Sequence, residues 1–150
     1  MDKKELLRAT LESGVDPIEI GLVSVESTST RQPTAYRTVM RLNTQQLGVL
    51  YPSEYEPVAA RTVQSVNLAI SNITDVSDII TVAAERKIKV DWFSVACPVR
   101  MLTRGSASEL LRGLFEDIEF SDPSKLCLEF PSQILFEDAV AVSRELGALK

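Results

Sequence analysis

Apolar and polar residues alternate through AYRTVMRLN, residues 35–43. A repeat of two residues is typical of a half-buried strand, because successive side chains point to opposite faces. A similar pattern predicts a strand over residues 18–26, and the polar run at 27–34 predicts the turn of a hairpin between the two. Arg37 and Arg41 lie four residues apart, so we expect them on one face of the second strand.

Helical spacing of apolar residues predicts five helices, and Ser-x-x-Glu patterns indicate where two of them begin. We expect the serine and the glutamate of each pattern to form a capping box. The first predicted helix is residues 2–13, ended by Gly14, and the second begins at Ser53 with a box to Glu56. A separate third helix is capped by Thr74 or Asp75, and a fourth begins at Ser106 with a box to Glu109. The last is residues 132–147, with Ser132 as its N-cap and Gly147 as its end.

Two further strands are predicted at residues 88–96 and 125–130. After the hairpin, strands and helices alternate, which indicates right-handed crossovers and an α/β fold with a parallel sheet. The nearly continuous apolar run of the last strand favours burial on both of its faces. The chain ends after Gly147, where a loop would lead to another strand, so we expect an open sheet edge.

Composition and charge narrow the classes of function. The chain has 150 residues, which suits a single domain, and its net charge of −5 from 21 acidic and 16 basic residues argues against a nucleic-acid polymer as partner. It contains no histidine, which excludes Ser-His and Cys-His catalysis and histidine metal sites within the chain. Any metal would need oxygen ligands, and we expect no cofactor.

The sequence offers no sign of a membrane protein. It contains no apolar run of spanning length, and no apolar segment follows the charged start MDKKELLRATLESG as in a signal peptide. Cys97 and Cys127 both lie in apolar contexts, so we expect two buried, reduced thiols in a cytoplasmic protein.

Four segments of the chain stand out in order: RTVMR at 37–41, GVLYPSEYEPVAAR at 48–61, FSVACPVRML at 93–102 and KLCLEFPSQILFED at 125–138. Together they resemble the N-terminal half of an EAL domain, the bacterial cyclic di-GMP phosphodiesterase fold. RTVMR at 37–41 resembles the E-A-L-L-R motif, and GVLYPSEYEPVAAR at 48–61 resembles the G-x-x-x-P-x-x-F-I-P-x-A-E stretch that follows it. FSVACPVRML at 93–102 resembles the V-N-L-S strand, and KLCLEFPSQILFED at 125–138 resembles the L-x-L-E-I-T-E-S segment. The resemblance implies an incomplete (β/α) TIM-barrel-like fold, with residues 1–14 as an added helix and residues 18–150 as a half barrel.

The departures from this family concern its metal ligands. The resemblance puts Arg37 at the motif glutamate, Ala96 at the asparagine and Ser132 at the second glutamate, while Glu129 retains the first. The remaining ligands of the family would lie beyond Lys150. A guanidinium repels Mg²⁺, and one carboxylate is too few for a metal pair, so the resemblance implies that the chain is not a phosphodiesterase.

The two arginines have two interpretations. They form an anion clamp for a phosphate of the ligand, with Arg41 as the family's retained motif arginine, or they are salt-bridged residues near the hairpin; we favour the second, because a phosphate site also needs a closed pocket. We expect Glu129 to pair with Arg41 or Arg37.

Three functional hypotheses follow, in order of preference. The first is a catalytically inactive regulatory module that acts through an unidentified protein partner and self-associates as a homo-oligomer through the open sheet edge. The second is a non-catalytic cyclic di-GMP receptor, with Arg37, Arg41 and Glu129 as its candidate ligand-binding residues. The third is an active phosphodiesterase with a rebuilt metal site. The alternative to self-association is that the sequence is a fragment of a longer protein.

Overall fold

The computed structural model describes residues 2–13, 17–60, 62–104, 106–132 and 139–150. Its elements alternate helices and strands along the chain in the order that the sequence predicts, with additional short elements. They are α1 Lys3–Glu12, β1 Pro17–Glu26, β2 Pro33–Thr44, β3 Gly48–Leu50, α2 Pro52–Ala59, α3 Gln64–Glu85, β4 Trp92–Ala96, α4 Arg100–Thr103, α5 Ala107–Asp117, a 3₁₀ turn at Pro123–Lys125, β5 Leu126–Glu129 and α6 Ala139–Ala148.

The strands form one mixed sheet in the order β1-β2-β4-β5, with the short β3 also paired to β2. β1 and β2 form the predicted antiparallel hairpin, while β2 with β4 and β4 with β5 are parallel. This arrangement confirms the predicted α/β fold with an N-terminal antiparallel pair. β1 and β5 are the ends of the strand order among the described residues.

Helices cover one face of the sheet. The larger core cluster joins α3, α4, α5 and α6 to residues such as Phe93 and Val95 of β4, and Tyr36 of β2 stacks on Phe93 with ring centroids 5.5 Å apart. A second cluster holds α1 and α2 against β2, where the buried hydroxyl of Tyr55 donates a hydrogen bond of 3.0 Å to the Met40 carbonyl. These contacts fix the position of β2 relative to β4.

The strand register identifies the residues on the opposite face, which we call the open face. One row across the four strands contains Val23, Arg37, Ser94 and Cys127. Val23 is 54% exposed and Cys127 is also exposed, whereas Ser94 in the middle of the row is fully buried. The predicted strand alternation therefore puts Arg37 on the more accessible side of the sheet.

One predicted helix boundary is wrong. The chain does not begin a new helix at Thr74 or Asp75, because α3 runs without a break through 22 residues. The Thr74 hydroxyl donates to the Ile70 carbonyl at 3.0 Å, so it bonds within the helix instead of capping one. Ile73 and Val76, both 0% exposed, continue the apolar side of the helix through this point, which is why packing overrides the polar residues.

Both predicted capping boxes are wrong as well. α2 begins at Pro52, and the Tyr51 N–H donates to Oε2 of Glu54 at 3.1 Å, two residues earlier than the box predicted between Ser53 and Glu56. Ser106 has a φ of 108° and makes no side-chain cap, so the box with Glu109 does not form.

The predicted end of the last helix is also wrong. α6 continues past Gly147 to Ala148, so this glycine does not end the helix. The predicted end at Gly14 lies outside the described residues. The same is true of the predicted start of the last helix after Ser132, since residues 133–138 are not described.

The strands differ from the predictions at their ends and in burial. β4 begins at Trp92 instead of residue 88, and the three-residue β3 was not predicted. β5 is half-buried instead of buried on both faces, because it lies at the end of the strand order. Cys127 is consequently exposed, which corrects the prediction of two core thiols, whereas Cys97 is buried as expected. No helix in the described part of the chain has the length and apolar character of a membrane span.

Candidate functional site

Three of the residues singled out in the sequence come together where the pairing of β2 with β4 stops and β4 and β5 end. Arg37 of β2 is in register with Ser94 of β4, and Ala96, two residues further along β4, is in register with Glu129 at the end of β5. Parallel strands end at the same edge of a sheet, so the Arg37 side chain can reach Glu129 across β4. Ser132 follows β5, is exposed and lies in a 3₁₀ position outside the strand.

Arg37 and Glu129 form an ion pair. Both Nε and Nη2 of Arg37 lie 3.0 Å from Oε2 of Glu129. The side chains are 59% and 35% exposed, so solvent screens the pair, and its contribution to stability is of order 0–1 kcal/mol. Its effect on metal binding is larger, because the Arg37 guanidinium lies against Glu129, the carboxylate that the resemblance identifies as a metal ligand.

Arg41 lies on the same face but has different partners. Its Nη2 pairs with Oε1 of Glu19, in the neighbouring strand β1, and its guanidinium lies 5.9 Å from the ring centroid of Tyr51. The side chain of Tyr51 and then the charge of Glu19 raise the pKa of Arg41. The structure thus gives each arginine its own carboxylate, on opposite sides of β2, and does not bring the two guanidinium groups to one acceptor.

Two hydrogen bonds hold the backbone beneath the Arg37–Glu129 pair. The Thr38 hydroxyl donates to the Ser94 carbonyl at 2.7 Å, and the Cys97 N–H donates to the Glu129 carbonyl at 2.8 Å. The Ser94 hydroxyl itself is buried and has no hydrogen-bond partner among the residues that the structure describes. β2, β4 and β5 are therefore joined by one side-chain and one backbone hydrogen bond that do not depend on the exposed ion pair.

The Cys97 thiol, next to Ala96 at the end of β4, is poorly suited to act as a nucleophile. Burial, followed by the charges of Glu129 and Cys127, raises the pKa of the Cys97 thiol to about 12. The thiolate is the reactive form, so Cys97 is inert near neutral pH. Both cysteines are free.

The residues present do not fit a bound metal pair. No group of three or more Cys, Asp or Glu side chains in the described ranges is placed to hold a metal ion. Glu129 is paired with Arg37, and Ala96 offers no ligand atom. A divalent cation here would lie next to a guanidinium, which repels it. A metal site requires further carboxylates to neutralise its positive charge.

Sequence reasoning missed Glu19 and Tyr51 as partners of Arg41. Glu19 has a detectable signal, because it occupies a polar position of the predicted first strand, and a hairpin brings that strand beside Arg41. Tyr51 has none, since its approach depends on the unpredicted β3, which folds back along β2.

Comparisons with known proteins show the fold. No protein-family model matches the chain, and no curated protein matches it. Among solved structures, the PaMucR phosphodiesterase in complex with cyclic di-GMP superposes with a TM-score of 0.77 at 16% identity, covering 97% of this chain and 59% of that one. The FimX EAL domain of Xanthomonas citri, also in complex with cyclic di-GMP, gives a TM-score of 0.70 at 14% identity and is covered to 55%.

A third structure, the EAL enzyme Bd1971 in its cAMP-bound form, gives a TM-score of 0.69 at 13% identity, covering 97% of this chain and 41% of that one. The chain therefore has an EAL-like fold that spans only part of the length of these structures. The predicted resemblance and the predicted partial, barrel-like architecture are confirmed.

Proposed function

We propose that the chain is a catalytically inactive, EAL-like module of bacterial cyclic di-GMP signalling that regulates through protein contacts. The observation that carries this proposal is the ion pair of Arg37 with Glu129 at the carboxyl ends of the strands. This is the edge at which barrel enzymes place their chemistry.

The charges at this edge oppose the binding of metal ions. Hydrolysis of a phosphodiester is helped by metal ions that neutralise the phosphate and lower the pKa of a bound water. Holding such ions takes several oxygen ligands, whereas this edge supplies one carboxylate, paired with a cation, and the side chain of Ala96. The localisation that fits this role is the bacterial cytoplasm.

Self-association through the open sheet edge is the second part of the proposal. β5 has a partner strand on one side only among the described residues, and Val23, Val25 and Cys127 expose side chains on the open face. Unpaired strand edges and exposed apolar patches are typical of protein-interaction surfaces.

The activity test is incubation with cyclic di-GMP and either Mg²⁺ or Mn²⁺. We expect no hydrolysis above a no-protein control, and turnover that depends on the protein would overturn the proposal.

Association is tested separately by sedimentation of the parent chain and of Cys127→Lys, which adds a charge to β5. A lysine on an edge strand blocks strand pairing, so this variant should be more dissociated than the parent.

A second candidate function is a cyclic di-GMP receptor without catalysis. It is favoured by the likeness in fold to two structures solved in complex with that nucleotide. Isothermal titration with and without Mg²⁺ tests it, with Arg41→Ala as the variant. Binding that is weakened by this change supports a receptor, and the absence of binding leaves the protein-contact module.

A further inference from the structure

A cleft lies on the helix-covered side of the sheet, between the β1–β2 hairpin and the C-terminal half of α3. Its volume is about 340 Å³, and its lining is almost entirely apolar. Three of its large apolar side chains are well exposed, Leu22 by 45%, Val82 by 42% and Ile88 by 55%. Single exposed apolar residues are ordinary, but several at one cleft indicate a surface that another molecule covers.

The charged residues of the cleft have a definite order along α3. Asp78, Val82 and Arg86 are spaced by four residues, so they follow one side of the helix. A rise of about 1.5 Å per residue puts the acidic and basic positions about 12 Å apart along the axis, with Val82 midway. Within the part of the chain that the structure describes, Asp78 and Arg86 form no salt bridge.

Charged residues beyond the cleft follow the same order, with an acidic residue before Asp78 and basic residues after Arg86. Asp75 lies one turn before Asp78, and its pKa is raised by burial and by the charge of Asp78. Lys87 and Lys89 are exposed beyond Arg86. Glu85 interrupts the basic end, but it does not line the cleft.

We propose that this side of α3 is a symmetric interface with a second copy of the chain. In an antiparallel pair of α3 helices with the two-fold axis at Val82, each Asp78 faces Arg86 of the second copy. A two-fold interface must be complementary to itself, and an apolar centre between opposite charges at equal distances meets that requirement. The interface lies on the other side of the sheet from the open face, so it goes beyond the proposed function.

The composition of the cleft favours a protein surface over a small polar ligand. A nucleotide or other phosphate compound would need several convergent donors, and Arg86 is the one cationic side chain among the described residues of the lining. The second copy supplies both Val82 for the apolar centre and a carboxylate for Arg86.

The test is sedimentation equilibrium of the full chain and four charge variants under reducing conditions. Asp78→Arg and Arg86→Asp each create two like-charge contacts in a symmetric dimer, so each should weaken association about tenfold or more. The double variant Asp78→Arg/Arg86→Asp restores both contacts and should return to within about threefold of the parent. Asp117→Arg makes the same charge change on the exposed side of α5 and should associate like the parent.

A covalent probe makes the result independent of the charge variants. In a Cys127→Ser background, Val82→Cys should form a disulfide-linked dimer on mild oxidation, because this position lies on the proposed axis. Asp117→Cys in the same background should remain monomeric on a non-reducing gel.

Each of several results overturns the interface. These are a parent that is monomeric throughout the micromolar range, a double variant no better than the single ones, and a dimer that tolerates both single changes. If the dimer tolerates them but dissociates in Cys127→Lys, the α3 interface fails while self-association through the open edge stands.

Discussion

Arg37 on β2 reaches across β4 to Glu129 at the end of β5, where two of its nitrogens lie 3.0 Å from one carboxylate oxygen. The strand between them presents Ser94 and Ala96 on the same face. Small side chains at these positions leave room for the guanidinium to pass. A cation thus joins β2 and β5, the first and last parallel strands of the described sheet.

The Arg37–Glu129 pair should add little to stability. We expect a double-mutant cycle of Arg37→Ala and Glu129→Ala, measured by urea unfolding, to give a coupling free energy below about 1 kcal/mol, because both side chains are partly exposed. A coupling of several kcal/mol would contradict this picture of a screened pair. Arg8→Ala with Glu12→Ala, an exposed pair within α1, provides the comparison.

The continuity of α3 predicts a large effect of proline at its centre. Asp75→Pro should lower the free energy of unfolding by about 3 kcal/mol or more, because proline removes a hydrogen bond and clashes with the preceding turn. Thermal or urea unfolding of this variant and of the control Asp75→Ala separates the backbone effect from the loss of charge. If proline were tolerated as well as alanine, the chain would contain a helix boundary there after all.

The buried hydroxyl of Ser94 predicts an unusual substitution. Ser94→Ala removes a polar group that has no hydrogen-bond partner, so the free energy of unfolding should stay the same or rise. Thr38→Val is the matched contrast, since it removes a hydroxyl that donates to the Ser94 carbonyl, and it should cost about 1 kcal/mol. A clear loss of stability in Ser94→Ala would show that its hydroxyl has a partner in solution.

The raised pKa of Cys97 predicts a loss of stability at alkaline pH. Between about pH 9 and 12 the thiol is ionised in the unfolded chain but protonated in the folded one, so the unfolded state binds fewer protons. Stability should therefore fall as pH rises above about 9, by at most about 1.4 kcal/mol per pH unit from this group. Under reducing conditions, Cys97→Ala should show a smaller slope, and Cys127→Ala controls for the removal of one thiol.

Burial of Tyr55 raises its pKa too, which adds a further decline above about pH 10 in every variant. The comparison of slopes is therefore clearest between about pH 9 and 10. Equal slopes for the parent and Cys97→Ala would show that the thiol ionises alike in both states.

Local pattern predicted the hairpin well because both of its strands carry a repeat of two residues and are joined by a polar turn. It failed at Thr74, which begins no helix, and at Ser106 it predicted the start of α5 correctly but not the absence of a capping box with Glu109. The Thr74 hydroxyl bonds back to Ile70, and Ser106 adopts a positive φ. Capping patterns report what a side chain can do locally, and packing of the flanking apolar residues decides whether it does so.

The sequence by itself determined the order of the elements and the α/β class, because these depend on short-range pattern. Only the tertiary structure decided that Arg37 pairs with Glu129, 92 positions away, while Arg41 pairs with Glu19. It also decided that Cys97 is buried while Cys127 is exposed. Both outcomes follow from strand order and register, which bring distant residues together and which no local pattern encodes.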